Sequence, residues 1–286
     1  MRFFDFFAGI GGFRLGMEMA GHECVGHCEI DKYANMSYTA MHHPKDSEVF
    51  FKDVRTIDPY DMPECECYCF GFPGQSFSIA GKRGGFRDTR GTLFFEVMRL
   101  AEIRHPKILF AENVRGLLNH DGGATFGTII RTMDELGYDV EWQLLNSRHF
   151  GIPQNRERVF IVGHFRERPT KKVLPIRETG KENCTGLKQI GMIKSHRHNP
   201  DRYRLYDKTG IAPSLNTMGG GGREPMIMVG GGIRKLTPRE CFRLQGFPDE
   251  YFDRAAEVCS DSQLYKQAGN SVTVNVIYEI AKRLPK

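Results

Sequence analysis

The sequence lacks several features, and each absence narrows its reading. No apolar run is long enough to span a bilayer. The apolar start, MRFFDFFAGIGG, is interrupted by Asp5, has no small-residue cleavage site behind it and runs on into glycines. It therefore reads as a first strand and not as a signal peptide. Eight cysteines are present but no Cys-x-x-Cys pair, which argues against a zinc site. The chain is too long for a small disulfide-stapled secreted fold, so reduced, buried thiols are expected. Cys65, Cys67 and Cys69 alternate in ECECYCF, and a strand there would set all three on one face. Charge imbalance is slight: a net +5 does not by itself imply a nucleic-acid partner. No internal repeat is evident.

What is present is globular. With 286 residues, 40% hydrophobic and 26% charged, the chain can hold one large domain and a smaller one. Cations gather in two places, Lys82, Arg83, Arg87 and Arg90 in one, and His196, Arg197, Arg202 and Arg204 in the other. Each cluster is either a solvated surface or an anion-binding loop. Strands are expected over 2–8, 22–28, 65–70 and 107–114, and at YDVEWQLLN and RVFIVGHF. Helices are expected over 13–20, 31–41 and 92–104, and at TFGTIIRTMDELG, closed by Gly137. This alternation predicts an α/β fold with a doubly wound, mostly parallel, Rossmann-like sheet. From about residue 166 helical periodicity disappears, and glycine, proline and basic residues dominate as far as about 233. The pattern returns at LTPRECFRLQGF, where Thr237 and Glu240 form a capping box around Pro238. The last segment, NSVTVNVIYEIAKRL, reads as a helix that packs back on the sheet. The expected division is a discontinuous domain of 1–165 and 264–286, with a smaller, irregular domain of 166–263.

Ligands of such sheets bind beyond the carboxyl ends of the strands. In DFFAGIGGFRLG, Gly9, Gly11 and Gly12 let backbone approach a ligand closely as a helix begins. Glu29 ends the second strand, where a dinucleotide fold holds a ribose, and Asp53 in VFFKDV could accept from an adenine amino group. The third glycine of GxGxxG is absent. A nucleoside cofactor without pyrophosphate, such as S-adenosylmethionine, needs less phosphate cradle and fits better.

Seven motifs in order now make a resemblance visible. FDFFAGIGG, EID, KDV, ENV (112–114), QNRER (154–158), RKLTPRECFRLQGFPD and GNSVTVNV resemble those of the bacterial and phage DNA (cytosine-5) methyltransferases, over almost the whole chain. The resemblance implies S-adenosylmethionine as cofactor and S-adenosylhomocysteine as product. It places Phe7, Ala8, Gly9, Gly11 and Gly12 in the cofactor loop, Glu29 and Ile30 at the ribose, and Asp53 and Val54 at the adenine. It adds Phe72, Pro73, Leu93, Asn270, Ser271 and Val272 to the same site. No metal is implied.

One position departs from the family. Its proline–cysteine motif should read GFPCQSFS, and here it reads GFPGQSFS. Gly74 stands where the nucleophile belongs. In the family a cysteine thiolate adds to cytosine C6, which makes C5 reactive enough to take the methyl group. Loss of the C5 proton then expels the thiolate. By resemblance Glu112 engages N3, Arg158 holds the O2 edge and Arg156 supports it. The target base must leave the duplex, and Pro73, Glu112 and Arg158 would line its pocket. A chain with Gly74 is expected to bind but not to transfer methyl.

Duplex DNA with a short cytosine-containing site is the implied partner. Gln75, Ser78, Lys82, Arg83 and Arg90 would meet it from the loop after Gly74. Between the arginine motif and RKLTPRE, the segment PSLNTMGGGGREP resembles the family's closing recognition loop, with Ser214-Leu215 in place of the usual Thr-Leu. Gly220 and Gly221 would let backbone near the major groove. Arg223 could read a guanine and Glu224 a cytosine, although both also suit a plain charged surface. Arg239 is a further DNA candidate. The resemblance implies a cytoplasmic monomer, encoded by a bacterium or phage, with a cognate restriction endonuclease as one partner it allows. Two rivals stand beside it: a tRNA cytosine-5 methyltransferase, and a DNA-binding repressor that kept the fold without the chemistry.

Overall fold

The computed structural model describes residues 1–72, 93–177, 188–192, 204–207, 210–217 and 224–286. Strands β1 (Arg2–Phe6), β2 (Glu23–Cys28), β3 (Val49–Phe51), β4 (Cys67–Gly71) and β5 (Ile108–Val114) alternate with helices α1 (Gly12–Met19), α2 (Lys32–His42) and α3 (Leu93–Arg104). Helix α4 (Ala124–Glu135) leads to β6 (Tyr138–Asn146), then the two-residue β7 (Gln154–Asn155) and the long β8 (Glu157–Phe165). The short strands β9 (Lys188–Met192), β10 (Arg204–Asp207), β11 (Ala212–Pro213), β12 (Met226–Val229) and β13 (Gly232–Lys235) follow. Helices α5 (Pro238–Arg243), α6 (Asp249–Val258), α7 (Asp261–Asn270) and α8 (Val274–Ala281) close the chain.

Seven strands form one sheet in the order β3-β2-β1-β4-β5-β8-β6. The first five run parallel, and β8 runs antiparallel to both β5 and β6. The expected doubly wound, mostly parallel α/β sheet is present. Its central strands are apolar on both faces because helices cover both. On one face Phe4, Phe6, Tyr68, Phe70 and Leu109 pack against α3 and α4; on the other Phe3, Phe110 and Phe160 pack against α1 and α8. Helix α8 does return to the sheet. It lies so close to α1 that a Cβ on Gly16 would stand 2.7 Å from the Ile277 side chain and 3.0 Å from the Tyr278 nitrogen.

Three cysteines on one face is an expectation that the structure corrects. Cys67 and Cys69 share a face, with sulfurs 3.7 Å apart. Cys65 precedes the strand, escapes its alternation and packs against the opposite core. The capping box at Thr237 forms as read. Helices α6 and α7 fill a stretch for which no element is expected above, and many of their residues are polar. Asp249 and Glu250 in the first turn of α6 favour its N-terminus electrostatically.

The smaller part is built on a four-stranded sheet, β13-β12-β10-β9, and a two-stranded pairing of β11 with β7. A third core joins it to the rest. There Tyr206 and Ile227 of the small sheet meet Phe242, Leu264 and Ala268 of α5 and α7, and also Ile10 and Leu15 beside the glycine loop. The chain leaving β8 is likewise fastened to the large sheet. Val173, Leu174 and Ile176 are buried on its α8 face. Their amides donate to Glu141 and Gln143, and Arg283 reaches the carbonyls of Val173 and Pro175.

Because Gly16 lets α1 and α8 touch, Gly16→Val should overpack that contact. The expected cost is about 1–3 kcal/mol, seen as a lower urea midpoint at an unchanged slope.

Candidate functional site: a cavity over the strand ends

Strands β1, β2, β4 and β5 end at one rim of the sheet, and a cavity of about 620 Å³ lies over it. The polar residues gather at this rim because the strand bodies are buried on both faces. Phe7, Ala8, Gly9 and Gly12 line it from the loop after β1. Phe7 holds φ 54, Gly9 φ 57 and Gly11 φ 78, so the loop turns through the left-handed region three times. A Cβ on Gly9 would meet nothing within 4 Å, whereas one on Gly12 would meet the Ser271 hydroxyl at 2.8 Å. Gly9 thus leaves the cavity open, and Gly12 lets the loop touch the segment before α8. Gly11 does not line the cavity: His42 packs beneath it and bonds the Ile10 carbonyl at 2.9 Å.

Glu29 stands at the centre of the acidic side. Its carboxylate accepts from the Gly9 amide and from the Asp31 amide, each at 2.7 Å. Burial pushes its pKa up, and these two amides offset only part of that rise. Ile30, Asp53, Val54, Phe72 and Leu93 line the cavity as the sequence suggests. Asp53 also caps the turn after β3 and pairs with Arg55 at 2.6 Å. Asn270, Ser271 and Val272 form the opposite wall. The sequence reading missed four notable lining residues, Phe13, Asp31, Lys52 and Lys266. Asp31 follows EI directly and could have been found as the cap of α2, which it is. Lys266 pairs with it at 2.6 Å across 235 positions, a distance no local signal spans.

Glu112, Arg156 and Arg158 open into the same cavity. Glu112 ends β5, and antiparallel β8 sets Arg158 opposite Val114, two positions further on. The Arg158 Nε lies 3.0 Å from the Glu112 carboxylate, and both side chains are largely buried. Next to Glu112, Asn113 donates to the Phe72 carbonyl at 2.6 Å and accepts from the Val114 amide. Phe72 is the last described residue before the segment carrying Gly74. Pro73, Gly74, Gln75, Ser78, Lys82, Arg83 and Arg90 lie outside the described residues, as do Gly220, Gly221 and Arg223.

Arg156 is fully enclosed. Its guanidinium donates to the carbonyls of Leu215, Gly269 and Ser271 and to the Ser214 hydroxyl. Burial, with a smaller push from Arg158, pulls its pKa down to about 9, which leaves it charged at neutral pH.

The remaining DNA candidates divide. Ser214 is exposed, but Leu215 is a core residue with only 3% exposure. Glu224 is buried, with the Lys235 ammonium 3.5 Å away. Arg239 is bound by Asp253 at 2.5 Å and lies over the Phe252 ring. Each of the three has an intramolecular partner that sequence spacing does not reveal. Among the described residues, no three His, Cys, Asp or Glu side chains are grouped to hold a metal ion, and no helix is long and apolar enough to cross a membrane.

A doubly wound sheet with an acidic crevice beyond its strand ends has the arrangement in which open α/β sheets bind their ligands. Solved structures share this fold: the Entamoeba histolytica methyltransferase EhMeth aligns with a TM-score of 0.74 at 20% identity, over 98% of this chain and 96% of that one. The S. pombe Dnmt2 methyltransferase aligns at 0.72 and 17%, over 98% and 97%. The family profile "C-5 cytosine-specific DNA methylase" matches residues 1–217 and 213–286. The chain is 37% identical to the type II methyltransferase M.HpaII of Haemophilus parainfluenzae, over 99% of its own length and 88% of the relative's. It is 36% identical to M.HhaI of Haemophilus parahaemolyticus, over 98% and 93%, and 30% identical to the orphan methyltransferase M.SPRI of Bacillus phage SPR, over 99% and 97%. The chain belongs to the C-5 cytosine-specific DNA methylase family.

The Glu112–Arg158 pair has a thermodynamic signature. Arg158→Leu leaves a buried carboxylate without its cation and should cost about 3–5 kcal/mol. Adding Glu112→Gln removes the stranded charge, so the double variant should be the more stable of the two in urea titrations.

Proposed function

We propose that this chain binds S-adenosylmethionine in the strand-end cavity and a flipped cytosine beside Glu112 and Arg158, and that it does not transfer the methyl group. The observation that carries this reading is one cavity lined by both residue sets, with glycine at position 74 of the adjoining GFPGQSFS.

The lining suits the cofactor. Glu29 has a carboxylate at the cavity edge for ribose hydroxyls, and Asp53 has one for an adenine amino group. Ile30, Val54, Leu93 and Phe13 supply apolar surface for a purine face. When bound, S-adenosylmethionine supplies an electrophilic methyl on a sulfonium. At the base, Glu112 can engage cytosine N3, and Arg158, already oriented by Glu112, can donate to O2. The DNA side is assigned to the small part within 166–263, through Ser214, Gly220, Gly221 and Arg223, and to Gln75, Ser78, Lys82, Arg83 and Arg90 of the loop after Gly74. Phosphate contacts by these cations would make affinity salt-dependent.

The family's covalent step needs a thiolate at C6. Glycine at position 74 has none, and the thiols nearby do not replace it. Cys69 is completely buried, and burial holds its thiol well above the usual range. Cys28 lines the cavity on the Glu29 side, and burial pushes it up to about 12. Neither is a nucleophile at neutral pH. Truncation at position 74 removes no cation from the base pocket, so binding is retained.

Three experiments test this. Labelled-methyl incorporation into DNA should be absent with this chain and appear in Gly74→Cys; incorporation by the Gly74 chain itself refutes inactivity. In gel shifts with S-adenosylhomocysteine, the Gly74 chain should bind at least as tightly as Gly74→Cys, because the cytosine is less crowded. For the cofactor, Glu29→Gln loses a charge-assisted acceptor worth about 1.5–3 kcal/mol. Calorimetry should then show S-adenosylhomocysteine binding weakened by roughly ten-fold or more.

A further inference from the structure

Residues 154, 156 and 158 of QNRER alternate along one short strap, and their side chains serve different sites. Arg158 faces Glu112 in the base pocket. Gln154 and Arg156 hold Leu215 from two sides. The Leu215 amide donates to Gln154 Oε1 at 3.1 Å, and Arg156 Nη1 donates to the Leu215 carbonyl at 3.1 Å. Through the same nitrogen Arg156 reaches the exposed Ser214. Its other nitrogen, Nη2, donates to Ser271 at 2.7 Å and Gly269 at 3.3 Å, and both belong to the wall of the cofactor cavity.

There is no slack between these two ends. A Cβ on Gly269 would lie 1.9 Å from the Asn216 carbonyl oxygen, so the cavity wall and the segment after Leu215 touch backbone to backbone. Gln154 is tied down as well, donating to the Leu244 carbonyl at 2.6 Å. The guanidinium is planar, and its donors point in fixed directions. Movement of Ser271 therefore has to shift Arg156 or break its bonds to 214–215.

We propose that Arg156, with Gln154, is a positioning clamp that couples the cofactor cavity to the DNA-reading segment, so that filling either site raises affinity at the other. This rests on the ligand assignments made above. Order imposed on 269–272 by cofactor is passed through one side chain to 214–217, which then need not be ordered when DNA arrives. The coupling is reciprocal, because both affinities describe the same free-energy cycle.

The test measures that cycle. The DNA probe is a short duplex with a randomised central stretch, enriched by binding to the unaltered chain, and its Kd is read by fluorescence anisotropy with and without saturating S-adenosylhomocysteine. The Kd of S-adenosylhomocysteine is measured with and without the duplex. In the unaltered chain the two ratios should agree and fall within about 5–150-fold, and in Arg156→Lys and Gln154→Met they should drop below about two-fold. Gln154→Met retains the guanidinium and its bonds to Ser271, so it remains informative if Arg156→Lys does not fold. A purely structural role would lower the melting temperature and leave the ratio intact. Ratios retained in both variants, or equal to one in the unaltered chain, overturn the clamp alone. Failure of the unaltered chain to bind either ligand overturns the functional reading and the clamp with it.

Discussion

Arg156 is a buried cation with no carboxylate in contact among the described residues. Its charge is met by three backbone carbonyls and a hydroxyl, drawn from the segment after β11 and from the end of α7. Hydrogen bonds to a charged group are worth about 1.5–3 kcal/mol each, and a guanidinium can make several only if all its acceptors stand in one plane at once. That requirement fixes the distance between the small sheets and the large one. It also fixes the strap on which Arg158 sits, and hence the direction in which Arg158 meets Glu112. The cavity wall at Ser271 and Val272 is set by the same contact.

The rest of the cavity follows from the parallel sheet. The bodies of the central strands are mostly apolar, apart from the buried Asp5 and His27, and Glu29, Asp53 and Glu112 collect along one rim at the strand ends. Helix caps and tight turns then determine what each carboxylate has left to offer. Glu29 is held by two amides and keeps its remaining lone pairs toward the cavity, whereas Asp53 shares its charge with Arg55. Among the described residues, Cys28 and Cys69, two thiols near this rim, are buried, and burial disfavours their thiolate forms. The proposed retention of binding has the same origin. The groups that would hold cofactor and base are parts of strands and caps, and they do not depend on position 74.

Local sequence was informative where a residue's role is met by near neighbours. Strand and helix positions in the large sheet, the capping box at Thr237 and the acids at strand ends were legible, because periodicity, caps and turns act within a few residues. Arg156 was legible as a member of the site but not as its tie. Leu215, Glu224 and Arg239, expected as DNA contacts, are also engaged within the chain, each by partners supplied through folding: a shared core, Lys235, and Asp253 with Phe252. Cys65 misled because alternation holds only inside a strand, and the strand begins at Cys67.

Order of motifs, type of sheet, and membership of a cytosine-5 methylase family with glycine at position 74 are properties of the sequence by itself. They depend on residue identity and spacing, which survive without coordinates. Only the tertiary structure decided which candidates share a cavity and which are spent on internal pairs. Lys266 with Asp31, Gly269 against Asn216, and Arg156 between Leu215 and Ser271 are contacts between distant parts of the chain. Their energies depend on distance and direction in space, which the packing of α7 and α8 against the sheet and the glycine loop sets and linear spacing does not.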